Sequence, residues 1–154
     1  MSEFVVDLLT RQRVMEVYPI VRQIAPGLTL KAWQRHAAVL LRDRSGGRGI
    51  ILIRRASQRF PCGLCSFRLD EDLRHGRILT AEDATVMTTL GAREAYDALV
   101  QGIEQVATSR HCTAVRWLLA QPPSEFGDLP RSTAVWAPLP HAHLRVTSQN
   151  SAPP

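Results

Sequence analysis

Lysine is almost missing from this chain: of nineteen basic residues only Lys31 is a lysine, and the rest are arginines. Those arginines are scattered, with no run of five or more. The net charge of +5 therefore makes no concentrated basic footprint of the kind that grips nucleic acid, and no nucleic-acid partner is expected. No stretch approaches the ~18 consecutive apolar residues of a membrane span, so no membrane partner is expected either. The opening Met1-Ser2-Glu3-Phe4-Val5-Val6-Asp7 has no basic region ahead of an apolar one, which predicts no secretory signal. Cysteine occurs only at Cys62, Cys65 and Cys112, an odd number that fits reduced thiols in a cytoplasmic protein better than a disulfide framework. Tyrosine occurs only at Tyr18 and Tyr96.

What is present fits one globular domain. The 154 residues are 45% hydrophobic and 21% charged, enough to fold on a single core without staples. Residues 1–147 are expected to form the domain and 148–154 a disordered tail. Residues 3–9 read as a first strand. Residues 11–25 carry Val14, Val17, Tyr18, Val21 and Ile24 at helical spacing, ending at Pro26-Gly27. A second helix is expected over 29–43, capped by Thr29, with Leu30, Trp33, Ala37, Leu40 and Leu41 inward.

Three strands follow, over 49–54, 63–69 and 77–88. The first contains Ile50-Ile51-Leu52-Ile53, apolar on both faces as in a buried strand. Residues 70–76 read as a polar turn. The third strand is interrupted by Glu82-Asp83, where two adjacent acids predict a bulge or kink. A long amphipathic helix spans 92–110, with Ala95, Ala98, Leu99, Gly102, Ile103, Val106 and Ala107 on one face. A buried strand follows at 115–120. Beyond it Pro122, Pro123, Gly127 and Pro130 forbid any long helix, and 132–137 and 142–146 read as short strands.

Several chemical groupings have plain explanations. Cys62-Gly63-Leu64-Cys65 is a C-x-x-C without further ligands nearby, and on one strand an offset of three would aim the thiols at opposite faces. His141 and His143 share a strand face, and His111-Cys112 ends a helix. No metal site is expected.

The element order, together with residues 99–115 (LVQGIEQVATSRHCTAV) and the polar hairpin within 61–86, resembles the GNAT superfamily of N-acetyltransferases. The resemblance covers roughly residues 3–120. It implies an α+β fold: a mixed, mostly antiparallel sheet with helices on both faces, whose fourth and fifth strands splay apart. It implies acetyl-CoA in that gap as acyl donor and an amine of a small molecule or protein as acceptor. The pantetheine arm would pair with the end of the fourth strand, and the pyrophosphate would rest on amides opening the third helix. Helix N-termini suit that task because their first N–H groups are unpaired and carry partial positive charge.

By the same resemblance Val86, Met87, Thr88, Gly91, Ala92, Arg93, Glu94, Ala95 and Tyr96 are the candidate donor-binding residues. The amides of Val86 and Met87 would polarise the acyl carbonyl, and Glu82 and Asp83 are the candidate general bases. The family's loop reads Arg or Gln, two residues, Gly, one residue, then Gly or Ala. Here those places fall to Gly91, Glu94 and Tyr96, a carboxylate and a bulky ring where bare backbone is expected. The usual acid, a tyrosine after the fifth strand, is also missing, since no tyrosine follows Tyr96. These departures keep a second reading open, a GNAT-fold binding or regulatory protein without catalysis. An unrelated α/β interaction domain is a third. An unpaired terminal strand could join two copies as a homodimer.

Overall fold

Alternation of side chains along a strand puts successive residues on opposite faces, and here both faces are covered. The computed structural model describes residues 3–120 and 132–138. Its elements are β1 (Phe4–Leu8), a 3-10 turn (Arg11–Arg13), α1 (Tyr18–Ile24), α2 (Leu30–Arg42), β2 (Arg48–Arg55), β3 (Gly63–Asp72), β4 (Gly76–Val86), α3 (Ala92–Ser109), β5 (Ala114–Ala120) and β6 (Ser132–Pro138). The six strands form one sheet in chain order, and every neighbouring pair is antiparallel except β4 and β5. That parallel pair needs a crossover, and α3 supplies it.

The run Ile50-Ile51-Leu52-Ile53 sits at the junction of two cores. Ile51 and Ile53 pack with Phe67, Leu79, Val115 and the face of α3 that carries Ala95, Leu99 and Ile103. Ile50 and Leu52 pack with Leu64 under α1 and α2, against Val17, Ile20, Trp33 and Ala37. Gly102 lets α3 approach closely: a Cβ there would lie 2.7 Å from Val6 Cγ1. Trp33 is a core residue whose indole N–H donates to the Val14 carbonyl at 2.7 Å. Thr29 caps α2 as expected, its Oγ1 accepting from the Ala32 amide at 3.2 Å.

The structure departs from the sequence expectations in three places. The helix expected over 11–25 is split into the 3-10 turn and α1. Pro19 is the reason: it has no N–H to continue a helix, but it fits the first turn of a new one. β3 runs on to Asp72, so the polar turn shrinks to three residues. Asp72 Oδ1 closes it by accepting the amides of Arg74 and His75, both at 2.9 Å. Cys62 lies just ahead of β3 rather than in it, so the strand alternation does not govern it, and both Cys62 and Cys65 enter the α3-side core. Burial raises both thiols, Cys65 to about 12, which keeps them protonated and unreactive. The strand expected at 142–146, the pair His141 and His143, and the tail at 148–154 lie outside the described residues.

α3 ends in a Schellman motif. The Cys112 amide reaches the Ala107 carbonyl at 2.9 Å, and the His111 amide reaches that of Thr108 at 3.1 Å. His111 takes the left-handed conformation this requires, at φ 59°. A left-handed residue with a Cβ is strained by about 1–2 kcal/mol, part of which glycine loses again through its freer unfolded chain. His111→Gly should therefore stabilise the fold by about 0.5–1 kcal/mol, seen as a higher denaturant midpoint at unchanged m-value.

Candidate active site in the gap between two strands

β4 and β5 run side by side from Ile78 opposite Ala114 to Glu82 opposite Leu118, and then part company. The separation begins where β4 is deformed. Leu64 faces Thr85 and Ser66 faces Glu82, so Asp83 and Ala84 together oppose Cys65. This is a β-bulge, with Asp83 left-handed at φ 58°. A bulge bends its strand and sharpens its twist, which turns the far end of β4 away from β5. The two acids thus mark the bulge that the sequence implied.

The gap is a cavity of about 790 Å³ that passes through the sheet. Gln23 and Ile24 of α1 line it on one face and Tyr96 and Val100 of α3 on the other. Glu82, Asp83, Ala84 and Thr85 form one wall, and Trp117, Leu118 and Leu119 form the other. Both candidate bases therefore stand on the cavity. Val86 continues the first wall with a free backbone edge. The Met87 amide donates to the Cys62 carbonyl at 2.6 Å, and Gly63 stands opposite Val86. Ladder bonds alternate along an antiparallel strand, so Val86 turns its N–H and C=O away from β3, toward the gap. Met87 does not share that role, because its amide is already bound to Cys62.

The two acids are held differently. Arg68 donates to Glu82 Oε1 at 2.9 Å and also pairs with Asp70 at 3.1 Å. Asp70 in turn accepts from the buried Thr80 hydroxyl at 2.6 Å and from Arg116 at 3.0 Å. These side chains share one face of β3, β4 and β5 and hold Glu82 in a hydrogen-bonded network. Asp83 has no ion-pair partner among the described residues. Burial in the cavity wall, and then the neighbouring charge of Glu82, push its carboxyl above the ordinary range.

Below the gap, the chain turns through Thr88 and Gly91 into α3. Thr88 Oγ1 donates to the Leu90 carbonyl at 2.8 Å, and Arg55 donates to the same carbonyl. Gly91 is the N-cap at φ 70°, and Ala95 is the first amide to find a helical partner, on the Gly91 carbonyl at 2.9 Å. The amides of Ala92, Arg93 and Glu94 precede it and point out of the helix end. Glu94 folds back over this turn, its Oε2 3.5 Å from the point a Cβ on Gly91 would occupy. Arg55 also pairs with Glu3 and lies over the Phe4 ring at 5.1 Å.

No family model matches the chain, and no curated protein matches it. Solved structures do. Glucosamine-6-phosphate N-acetyltransferase from Arabidopsis thaliana superposes with a TM-score of 0.62 at 14% identity, over 74% of this chain and 80% of that one. An aminoglycoside N-acetyltransferase in complex with CoA gives 0.64 at 12% identity, over 76% and 77%. Ribosomal-protein-alanine N-acetyltransferase from Brucella melitensis biovar Abortus 2308 gives 0.60 at 16% identity, over 98% and 93%. The chain has the GNAT fold.

Within that GNAT fold, the sequence had pointed to Glu82, Asp83 and Tyr96 on the cavity wall, but not to Gln23, Ile24, Val100 or the β5 wall. It also gave no notice of the network around Asp70. A signal existed: Arg68, Asp70, Thr80, Glu82 and Arg116 are polar residues at alternate positions in otherwise apolar strands.

Because the native state raises the Asp83 carboxyl, folding favours its protonated form. The associated stability is complete below the unfolded value of about 3.9 and is lost as pH rises through the higher native value. An asparagine has no such loss and accepts the left-handed backbone. Asp83→Asn should raise Tm at pH 7, and the two proteins should melt together at about pH 3, as read by thermal unfolding at both pH values.

Proposed function

We propose that this chain transfers an acetyl group from acetyl-CoA to an amine of a small molecule or protein. The observation that carries the proposal is the gap through the sheet, opened at the Asp83 bulge and reached from both faces. Such a passage lets an acceptor enter beside α1 while a donor lies along α3, bringing the two reactants together in one place. The likeness of fold to known N-acetyltransferases supports it.

Acetyl-CoA supplies an activated acyl group as a thioester. Val86 and Thr88 are the proposed donor-side residues, with the Val86 N–H placed to hydrogen-bond an acyl oxygen in the gap. Asp83 takes the proton of the attacking amine. Its raised carboxyl makes it a better base than Glu82, whose charge is spent on Arg68. The new C–N bond forms as the C–S bond breaks. No tyrosine follows Tyr96, so the thiolate leaves as such and takes its proton from solvent; a thiol near pKa 8.5 is a competent leaving group. Glu94 and Tyr96 on the opening turns of α3, with no tyrosine after them, favour the second reading, a GNAT-fold binding or regulatory protein without catalysis.

Thiol release from acetyl-CoA in the presence of an amine panel is the test. The wild type should turn over with an acid limb above the usual carboxylate range, since the base works only when deprotonated. Asp83→Asn should lower kcat/KM by about 10²–10⁴ and remove that limb. Heat of CoA binding without thiol release from any amine would instead establish the binding-only protein.

A further inference from the structure

We infer that this chain grips its donor by the pantetheine arm alone and leaves the nucleotide end of coenzyme A unheld. Acyl-pantetheine thioesters would then serve as well as acetyl-CoA. The inference rests on the acetyl-transfer reading for its chemistry and on the two ends of the donor path for its support.

The upper end of that path is built for the arm. Pantetheine is a chain of methylenes interrupted by two amides. The cavity offers apolar wall from Val100, Trp117 and Leu118 for the methylenes. The unpaired edge of β4 at Val86 offers its carbonyl to an amide N–H of the arm, next to the N–H that takes the acyl oxygen.

The lower end is not built for a pyrophosphate. Two linked phosphates need clustered N–H donors, a backbone they can approach, and uncompensated positive charge. Here the Glu94 carboxylate lies over the first turn of α3, 3.5 Å from the Cβ position of Gly91. Arg55, the cation fixed beside that turn, is already committed to Glu3, the Leu90 carbonyl and the Phe4 ring. Arg93 is exposed on that turn and makes no ion pair among the described residues, so it stands as one surface cation against the Glu94 carboxylate beside it. Tyr96 stands out from the same end of the helix, 44% exposed, in place of bare backbone. A nucleotide end brought here meets a like charge and a ring.

Direct binding separates this inference from the reading beneath it. Titration calorimetry with CoA and with pantetheine should give dissociation constants within about tenfold of each other, and kcat/KM for acetyl-CoA and acetyl-pantetheine should differ by no more. Glu94→Gly should tighten CoA about tenfold or more while leaving pantetheine unchanged, because it removes the opposing carboxylate and bares the backbone. CoA binding tenfold or more tighter than pantetheine in the wild type would overturn the inference, as would an unchanged CoA affinity in Glu94→Gly. Binding of both without acetyl transfer would sink the enzymatic reading and leave the ratio of affinities to decide this one. Failure of both to bind would overturn the two together.

Discussion

The parallel pairing of β4 with β5 stops at Glu82 and Leu118, and most of what is distinctive about this molecule follows from that stop. A sheet normally continues its ladder for as long as both strands last, because every unpaired backbone group out of water is costly. Here β4 carries four further residues and β5 two, and their inner edges face an open passage. The Asp83 bulge is the local cause, since one extra residue against Cys65 bends β4 just where its partner leaves. The same distortion that interrupts the ladder puts two carboxylates and a free strand edge on the rim.

The two acids at the rim show how neighbouring residues of one chemical type acquire different characters. Glu82 faces the side of the sheet that carries Arg68, Asp70, Thr80 and Arg116, and it is drawn into that charge network. Asp83 occupies the left-handed position of the bulge and meets no cation among the described residues. Burial and its neighbour's charge work in one direction on it. A single backbone irregularity thus leaves one carboxylate paired with Arg68 and one without a cation among the described residues.

Periodicity made the fold legible and left the site half written. The Ile50–Ile53 run, the apolar stripe of α3 and the Thr29 cap each follow from local rules, and the structure bears them out. Adjacent acids in a strand also announced a bulge. Pro19 should have divided the first long helix on the same rules, but the apolar spacing on either side of it masked the break. The Arg68–Asp70–Arg116 network and the β5 wall were hidden for another reason. They depend on which strands become neighbours and in what register, and a sequence states that only once the fold is known. Met87 shows the same limit: the direction of its amide is set by the Cys62 carbonyl across the ladder.

The crossover through α3 also bears on how the molecule is assembled. β2, β3 and β4 are antiparallel neighbours joined by short connections and can zip up as hairpins, whereas the parallel β4 and β5 must first enclose the whole segment between them. β5 reaches β4 only after residues 87–113 have folded back, with Gly102 of α3 seated against Val6 and Ile51. Pairings of such long reach form slowly. The passage between these strands thus cannot arise until α3 has docked, and a chain arrested before that step has the hairpins of β2, β3 and β4 but no site at all.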